Sequence, residues 1–197
     1  MTIYALSSGQ GISGIAVIRI SGEETSKVIE LLTGKSIPKP RVATLRNINK
    51  INTSELIDEG IILWFPGPNS YTGEDMAEIH IHGSKAVVEA LHTSISNIEN
   101  CRLAEPGEFT KIAFQNGKIN LLKAESISDL IRSETEMQRQ QAIKILSGKN
   151  SEIYNSWRSS LLKILANVEA KIDFPDEDLP EKIINEIQST SSKIKSE

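Results

Sequence analysis

The chain has a single cysteine, Cys101, in 197 residues. One thiol cannot close an internal disulfide, and it cannot build a Cys-rich zinc site. This usage points to a reducing, cytoplasmic compartment. Aromatics are scarce, at 5%. No apolar run approaches the roughly 18 to 20 residues that a bilayer crossing needs, so no membrane span is expected. The N-terminus, Met1-Thr2-Ile3-Tyr4, lacks a basic segment followed by an apolar core, so no secretory signal is visible. Basic charge is also short. Lys and Arg number 22 against 26 Asp and Glu, a net charge of −4. Residues 1–118 hold 11 basic and 13 acidic side chains, and residues 119–197 hold the same numbers. There is thus no basic arm or tail, and tight nucleic-acid binding by charge alone is excluded.

What remains is a globular composition, 39% hydrophobic and 24% charged, with a change of texture near the middle. In the first part, Gly14-Ile15-Ala16-Val17-Ile18-Arg19-Ile20 reads as a strand rich in β-branched residues, preceded by the Gly-rich loop Ser7-Ser8-Gly9-Gln10-Gly11-Ile12-Ser13. Ser21-Gly22-Glu23-Glu24 fits a capping box with Ser21 as N-cap. The helix it predicts carries Val28, Leu31 and Leu32 and stops at Gly34. Residues 42–48, 60–65 and 76–82 are further strand candidates, and 85–95 reads as a helix. Interleaved strands and helices imply an α/β or α+β domain.

After Pro106-Gly107 the β signal vanishes. Helices are expected over 109–116, 121–131 and 134–146. A fourth carries Ile153, Trp157, Leu161, Ile164, Val168 and Ile172 at steps of three and four, a stripe that should be buried against other helices. Residues 174–180, between Pro175 and Pro180, break the pattern. A last amphipathic segment with Ile183, Ile184, Ile187 and Ile194 runs to Glu197 without a Gly or Pro stop. That ending favours a chain cut from something longer. The division expected is 1–118 and 119–197.

Gly34-Lys35-Ser36 and Ser147-Gly148-Lys149 are not P-loops. The glycine required five residues upstream is Ile29 in one and Ile143 in the other, and the first tripeptide follows a helix. Both read as helix C-caps. Glu78, His80 and His82 alternate along one strand and so share a face. That face suits a zinc or iron site, a polar ligand wall or a solvated surface, and alternation does not choose among them. Arg19 points away from Ile18 and Ile20, toward a carboxylate or an anionic ligand, or snorkels at an edge. Lys118 reads in isolation as a surface lysine and Trp157 as a core residue.

Four stretches resemble one family. They are Gly14-Ile15-Ala16-Val17-Ile18-Arg19-Ile20-Ser21-Gly22; Trp64-Phe65-Pro66-Gly67-Pro68-Asn69-Ser70-Tyr71-Thr72-Gly73-Glu74-Asp75; Pro106-Gly107-Glu108-Phe109-Thr110 through Ala113-Phe114-Gln115-Asn116-Gly117-Lys118; and Ile172-Asp173-Phe174-Pro175-Asp176-Glu177. They are similar in order and spacing to the bacterial and organellar tRNA uridine-modification GTPases, the MnmE (TrmE) family. The sequence departs from the family at Ser7-Ser8-Gly9-Gln10, where a Thr-Pro-Pro type loop is usual, and at Glu105, where Arg is usual.

The resemblance implies an α+β architecture: an N-terminal α/β domain like the folate-binding aminomethyltransferases, then an all-α helical domain into which a Ras-like GTPase domain is inserted. It implies binding of a tetrahydrofolate derivative, 5-formyl- or 5,10-methylene-tetrahydrofolate, through Arg19, Glu78 and Lys118. Glu78 would accept from the pterin N–H groups, and Arg19 and Lys118 would attract the acidic tail. It implies no metal at Glu78, His80 and His82. It implies GTP, Mg and K in the GTPase domain, a homodimer, a flavin-dependent partner MnmG (GidA) in a heterotetramer, and tRNA as substrate. The activity implied is modification of the wobble uridine at C5, with this chain supplying folate binding and dimerisation but no GTP hydrolysis. The alternatives are a stand-alone folate-binding and dimerisation module without catalysis, and a metal-dependent enzyme.

Overall fold

A computed structural model describes residues 1–173 and 181–196. The chain forms two compact units, Met1–Asn120 and Leu121–Glu197. The first is α+β and the second is all-α.

In the first unit, six strands make one mixed sheet: β1 (Thr2–Leu6), β2 (Ser13–Ser21), β3 (Thr44–Asn49), β4 (Leu56–Phe65), β5 (Met76–Gly83) and β6 (Cys101–Leu103). Their order is β3-β4-β5-β2-β1-β6. Only the β1–β6 pairing is parallel; the others are antiparallel. Three helices accompany them: α1 (Thr25–Thr33), α2 (Lys85–Ser96) and α3 (Glu108–Gln115).

The core follows from the two-residue period of the strands. Ile18, Ile20, Ile62 and Ile79 are fully buried in one cluster with Val28, Ile29 and Leu32 of α1 and Leu91 and Ile95 of α2. The alternating positions Val17, Arg19, Glu78 and His80 therefore lie on the opposite face, where burial is partial. The helix pair thus claims one face of the sheet and leaves the other for a polar site.

Local pattern and structure differ at Ser21. It ends β2 instead of capping α1, because its backbone is paired with Ile3 on one side and Met76 on the other. Its hydroxyl bonds Thr72 Oγ1 at 2.7 Å and donates to Glu74 Oε2 at 2.9 Å. The start of α1 is supported from a distance: the Glu24 backbone N–H donates to Thr2 Oγ1 at 2.8 Å. Leu31, expected on the buried stripe, is exposed, and Ile29 takes its place.

The second unit comprises α4 (Leu121–Arg132), α5 (Glu136–Leu146), α6 (Lys149–Asp173) and α7 (Glu181–Ser196). A capping box opens α5: Thr135 Oγ1 accepts from the Gln138 backbone N–H, and Gln138 Oε1 accepts from the Thr135 backbone N–H. The α6 stripe is not buried as its period suggested. Leu161 is 54% and Ile172 69% exposed. Trp157 makes an edge-to-face contact with Tyr154 on its own helix, at 5.5 Å between centroids. The break at 174–180 and the side chain of Ile183 lie outside the described residues.

Candidate functional site

Arg19 and Glu78 are direct cross-strand partners on β2 and β5. Side chains opposite each other on one face of an antiparallel pair are within contact range. Arg19 Nε–H and Nη2–H both donate to Glu78 Oε1, at 3.1 and 2.7 Å. Both side chains are partly buried, 28% and 18% exposed, so the pair is less screened than one at an open surface. Two rings hold the guanidinium. Its carbon lies 5.5 Å from the Tyr71 ring centroid and 5.6 Å from that of Phe109, within cation–π range. Tyr71 belongs to the 66–75 loop and Phe109 to the first turn of α3. The Tyr71 hydroxyl and Thr110 Oγ1 are hydrogen-bonded at 2.9 Å, which ties the two together.

The placement of Phe109 is fixed by ionic contacts at the start of α3. Glu108 pairs with the Arg102 guanidinium on β6, and its Oε2 accepts from the Glu105 backbone N–H at 2.8 Å. The Arg102 hydrogen bonds hold the Glu108 carboxyl below its ordinary range, against the opposing effect of burial. Glu105, where the resemblance leads one to expect Arg, makes its contact here through its main chain.

The second oxygen of Glu78 is different. Among the described residues no group donates to Oε2, and His80 Nε2 lies 3.6 Å from it. A carboxylate oxygen offers two lone pairs. Glu78 thus keeps acceptor capacity while its charge is held in place by Arg19.

Lys118 packs against the 66–75 loop. Its ammonium donates to the Pro68 carbonyl at 2.7 Å. Its stem crosses Gly73, where an added Cβ would sit 3.2 Å from Lys118 Cδ, and Gly73 has φ of +84°. Glycine at this turn therefore admits both the backbone angle and the lysine stem. Asn116 Nδ2–H donates to the Thr72 carbonyl at 2.8 Å and closes the loop against the end of α3. Of the three residues expected at the site, the structure joins Arg19 and Glu78 directly and sets Lys118 on the loop that carries Tyr71.

The remaining member of the alternating strand face points elsewhere. His82 Nδ1 lies 2.8 Å from Asp58 Oδ1, and the His82 backbone N–H donates to Asp58 Oδ2 at 2.7 Å. Glu78 is engaged by Arg19 and His82 by Asp58, so the three do not converge. Among the described residues no group of three or more His, Cys, Asp or Glu side chains is arranged to hold a metal ion.

Tyr71, Phe109 and Thr110 are site residues that strand periodicity does not reveal. Their one local signal is that two of the scarce aromatics fall in Gly- and Pro-rich stretches, outside any apolar stripe.

Comparison with known proteins agrees with this layout. A family model described as "GTP-binding protein TrmE N-terminus" matches residues 2–118, and one described as "MnmE helical domain" matches residues 121–197. The chain is 73% identical over 194 residues to the tRNA modification GTPase MnmE of Pelagibacter ubique (strain HTCC1062), covering 98% of this chain and 44% of that protein. It is 50% identical over 196 residues to the tRNA modification GTPase MnmE of Rickettsia akari (strain Hartford), covering 100% of this chain and 44% of that protein. It is 51% identical over 189 residues to its counterpart in Rickettsia rickettsii (strain Sheila Smith), covering 96% and 42%. The chain spans less than half the length of these relatives. Its polar sheet face and its helices thus fall within successive family domains, and the chain belongs to the MnmE (TrmE) family.

Proposed function

We propose that the unit Met1–Asn120 binds a tetrahydrofolate derivative on the sheet face that carries Arg19 and Glu78. One observation carries the reading. Glu78 is a partly buried carboxylate, held by Arg19 through Oε1, with Oε2 accepting no hydrogen bond among the described residues. A pterin presents adjacent N–H donors on one edge, and a carboxylate with an open oxygen is the complementary acceptor. Arg19 orients Glu78, and its guanidinium in turn lies within cation–π range of Tyr71 and Phe109. Lys118 makes no ion pair among the described residues. Its charge is therefore available to the acidic tail of the folate, and so are the N–H donors of Arg19 that Glu78 does not use.

The wider activity extends from this site. The relatives are named tRNA modification GTPases, and we assign the parent activity to modification of the wobble uridine of tRNA at C5. When bound, 5-formyl- or 5,10-methylene-tetrahydrofolate supplies the one-carbon unit. Residues 1–118 serve folate binding and homodimerisation, and residues 119–197 form part of a helical platform. GTP, Mg and K belong to a GTPase domain outside the 197 residues, which hold no P-loop. An MnmG-type flavoprotein is the partner.

The test is calorimetric titration of 5-formyltetrahydrofolate into the chain and into its Glu78→Ala variant. Loss of charge-assisted hydrogen bonds of this kind weakens binding by roughly 1.5 to 3 kcal/mol, about tenfold or more. Equal affinity of the two proteins would remove Glu78 from the site.

A further inference from the structure

His80 stands two residues beyond Glu78 on β5, on the same face. Its Nε2 is buried, lacks a hydrogen-bond partner, and lies 3.6 Å from Glu78 Oε2. A buried polar atom without a partner is costly and uncommon in folded proteins. The sheet offers this one little else: the residues directly across from His80 are Ile61 on β4 and Val17 on β2. Both are apolar. The open oxygen of Glu78 lies 3.6 Å away, just beyond hydrogen-bond range.

We propose that His80 is a positioning residue for Glu78, and that its Nε2–H donates to Oε2 when the ligand is bound. The proposal rests on the pterin reading above and deepens it. An ionised carboxylate is acceptor-only, so it selects the imidazole tautomer with the proton on Nε2. Two Arg19 N–H groups fall on Oε1, and the carboxylate is loaded on one side. A ligand with two adjacent N–H groups bridges both oxygens and turns the carboxylate toward an even load. Oε2 then comes within the ordinary N–H···O distance of about 2.9 Å from Nε2. Arg19 then keeps one hydrogen bond to Oε1 and His80 takes Oε2, so each oxygen has a lone pair left for the ligand. His80 does not touch the ligand. It fixes the plane of the carboxylate that does, and its unpaired nitrogen finds its partner in the same step.

The experiment is a double-mutant cycle on the whole chain, with 5-formyltetrahydrofolate as the probe. His80→Ala weakens binding about tenfold, and His80→Gln, whose amide N–H has similar reach, restores most of it. In a Glu78→Ala background the further change His80→Ala has no effect, because the group it positions is gone. A purely structural histidine would give the same loss in both backgrounds. Should His80→Ala fail to fold, nitrogen NMR of the wild-type imidazole decides: ligand addition moves the Nε2 resonance toward that of a hydrogen-bonded donor, and an unmoved resonance overturns the proposal. Binding that falls in Glu78→Ala but not in His80→Ala, or a full His80 effect on top of Glu78→Ala, overturns the role of His80 and leaves the folate reading intact. A wild-type chain that binds no 5-formyltetrahydrofolate overturns both.

Discussion

Arg19 and Glu78 face each other across β2 and β5, and two guanidinium N–H groups converge on one carboxylate oxygen. The pair is partly buried, so removing one member leaves the other without compensation. Arg19→Ala is expected to lower stability by about 1 to 3 kcal/mol, from lost charge-assisted bonds and lost stacking on Tyr71 and Phe109. Arg19→Lys recovers little of this, because an ammonium lacks the planar fork. Urea denaturation of the three proteins checks it, and a fully stable lysine variant would show that geometry is unimportant.

The support of α1 by Thr2 gives a second expectation. Thr2 is fully buried, and its hydroxyl accepts from the Glu24 backbone N–H. Thr2→Ala strands that N–H at the start of α1 and costs about 1 to 2 kcal/mol. Thr2→Ser keeps the acceptor and most of the stability. A shift in unfolding midpoint equal for both variants would assign the effect to the lost methyl group.

At Gly60 the structure opposes strand propensity. Gly is a weak strand former and Ala a better one. Yet a Cβ at Gly60 would lie 2.3 Å from the backbone oxygen of His80 on the neighbouring strand. Gly60→Ala is expected to destabilise by about 1 to 3 kcal/mol and to weaken folate binding, since β5 carries Glu78 and His80. A stabilised variant would mean that the two strands separate freely.

Asp58 provides a pH signature. Burial of its carboxyl raises its pKa, but hydrogen bonds from the His82 main chain and ring and from the Glu59 amide outweigh that effect. The net pKa lies below the ordinary 3.8. The native state therefore binds this proton less tightly than the unfolded chain does, and stability is lost as pH falls through the native value. Asp58→Asn removes that contribution, so the difference in urea midpoint between about pH 6 and about pH 3 shrinks. An unchanged difference would show that other carboxylates carry the acid response.

The strand bearing Arg19, the strand bearing Glu78 and the helix over 85–95 were legible because each has strong local periodicity. So was the shared face of Glu78 and His80, since alternation alone sets it. β1 and β6 were not legible. β6 has three residues and exists through parallel pairing with β1, roughly a hundred residues away in sequence. The capping box at Ser21 misled for a related reason: pairing with Ile3 and Met76 kept β2 extended through Ser21, and the helix start drew its acceptor from Thr2. The contact between Arg19 and Glu78 needed the β2–β5 register, which no local pattern contains. Tyr71 and Phe109 needed the 66–75 loop and α3 to meet. The α6 stripe had the right period, but period reports an apolar face and not what covers it.

The most direct measurement is a crystal structure of the chain soaked with 5-formyltetrahydrofolate. The account predicts pteridine density against Glu78, with the ring N–H edge toward the carboxylate and the Arg19–Glu78 pair intact beneath it. Density elsewhere on the unit, with Glu78 unmoved and unligated, would contradict it.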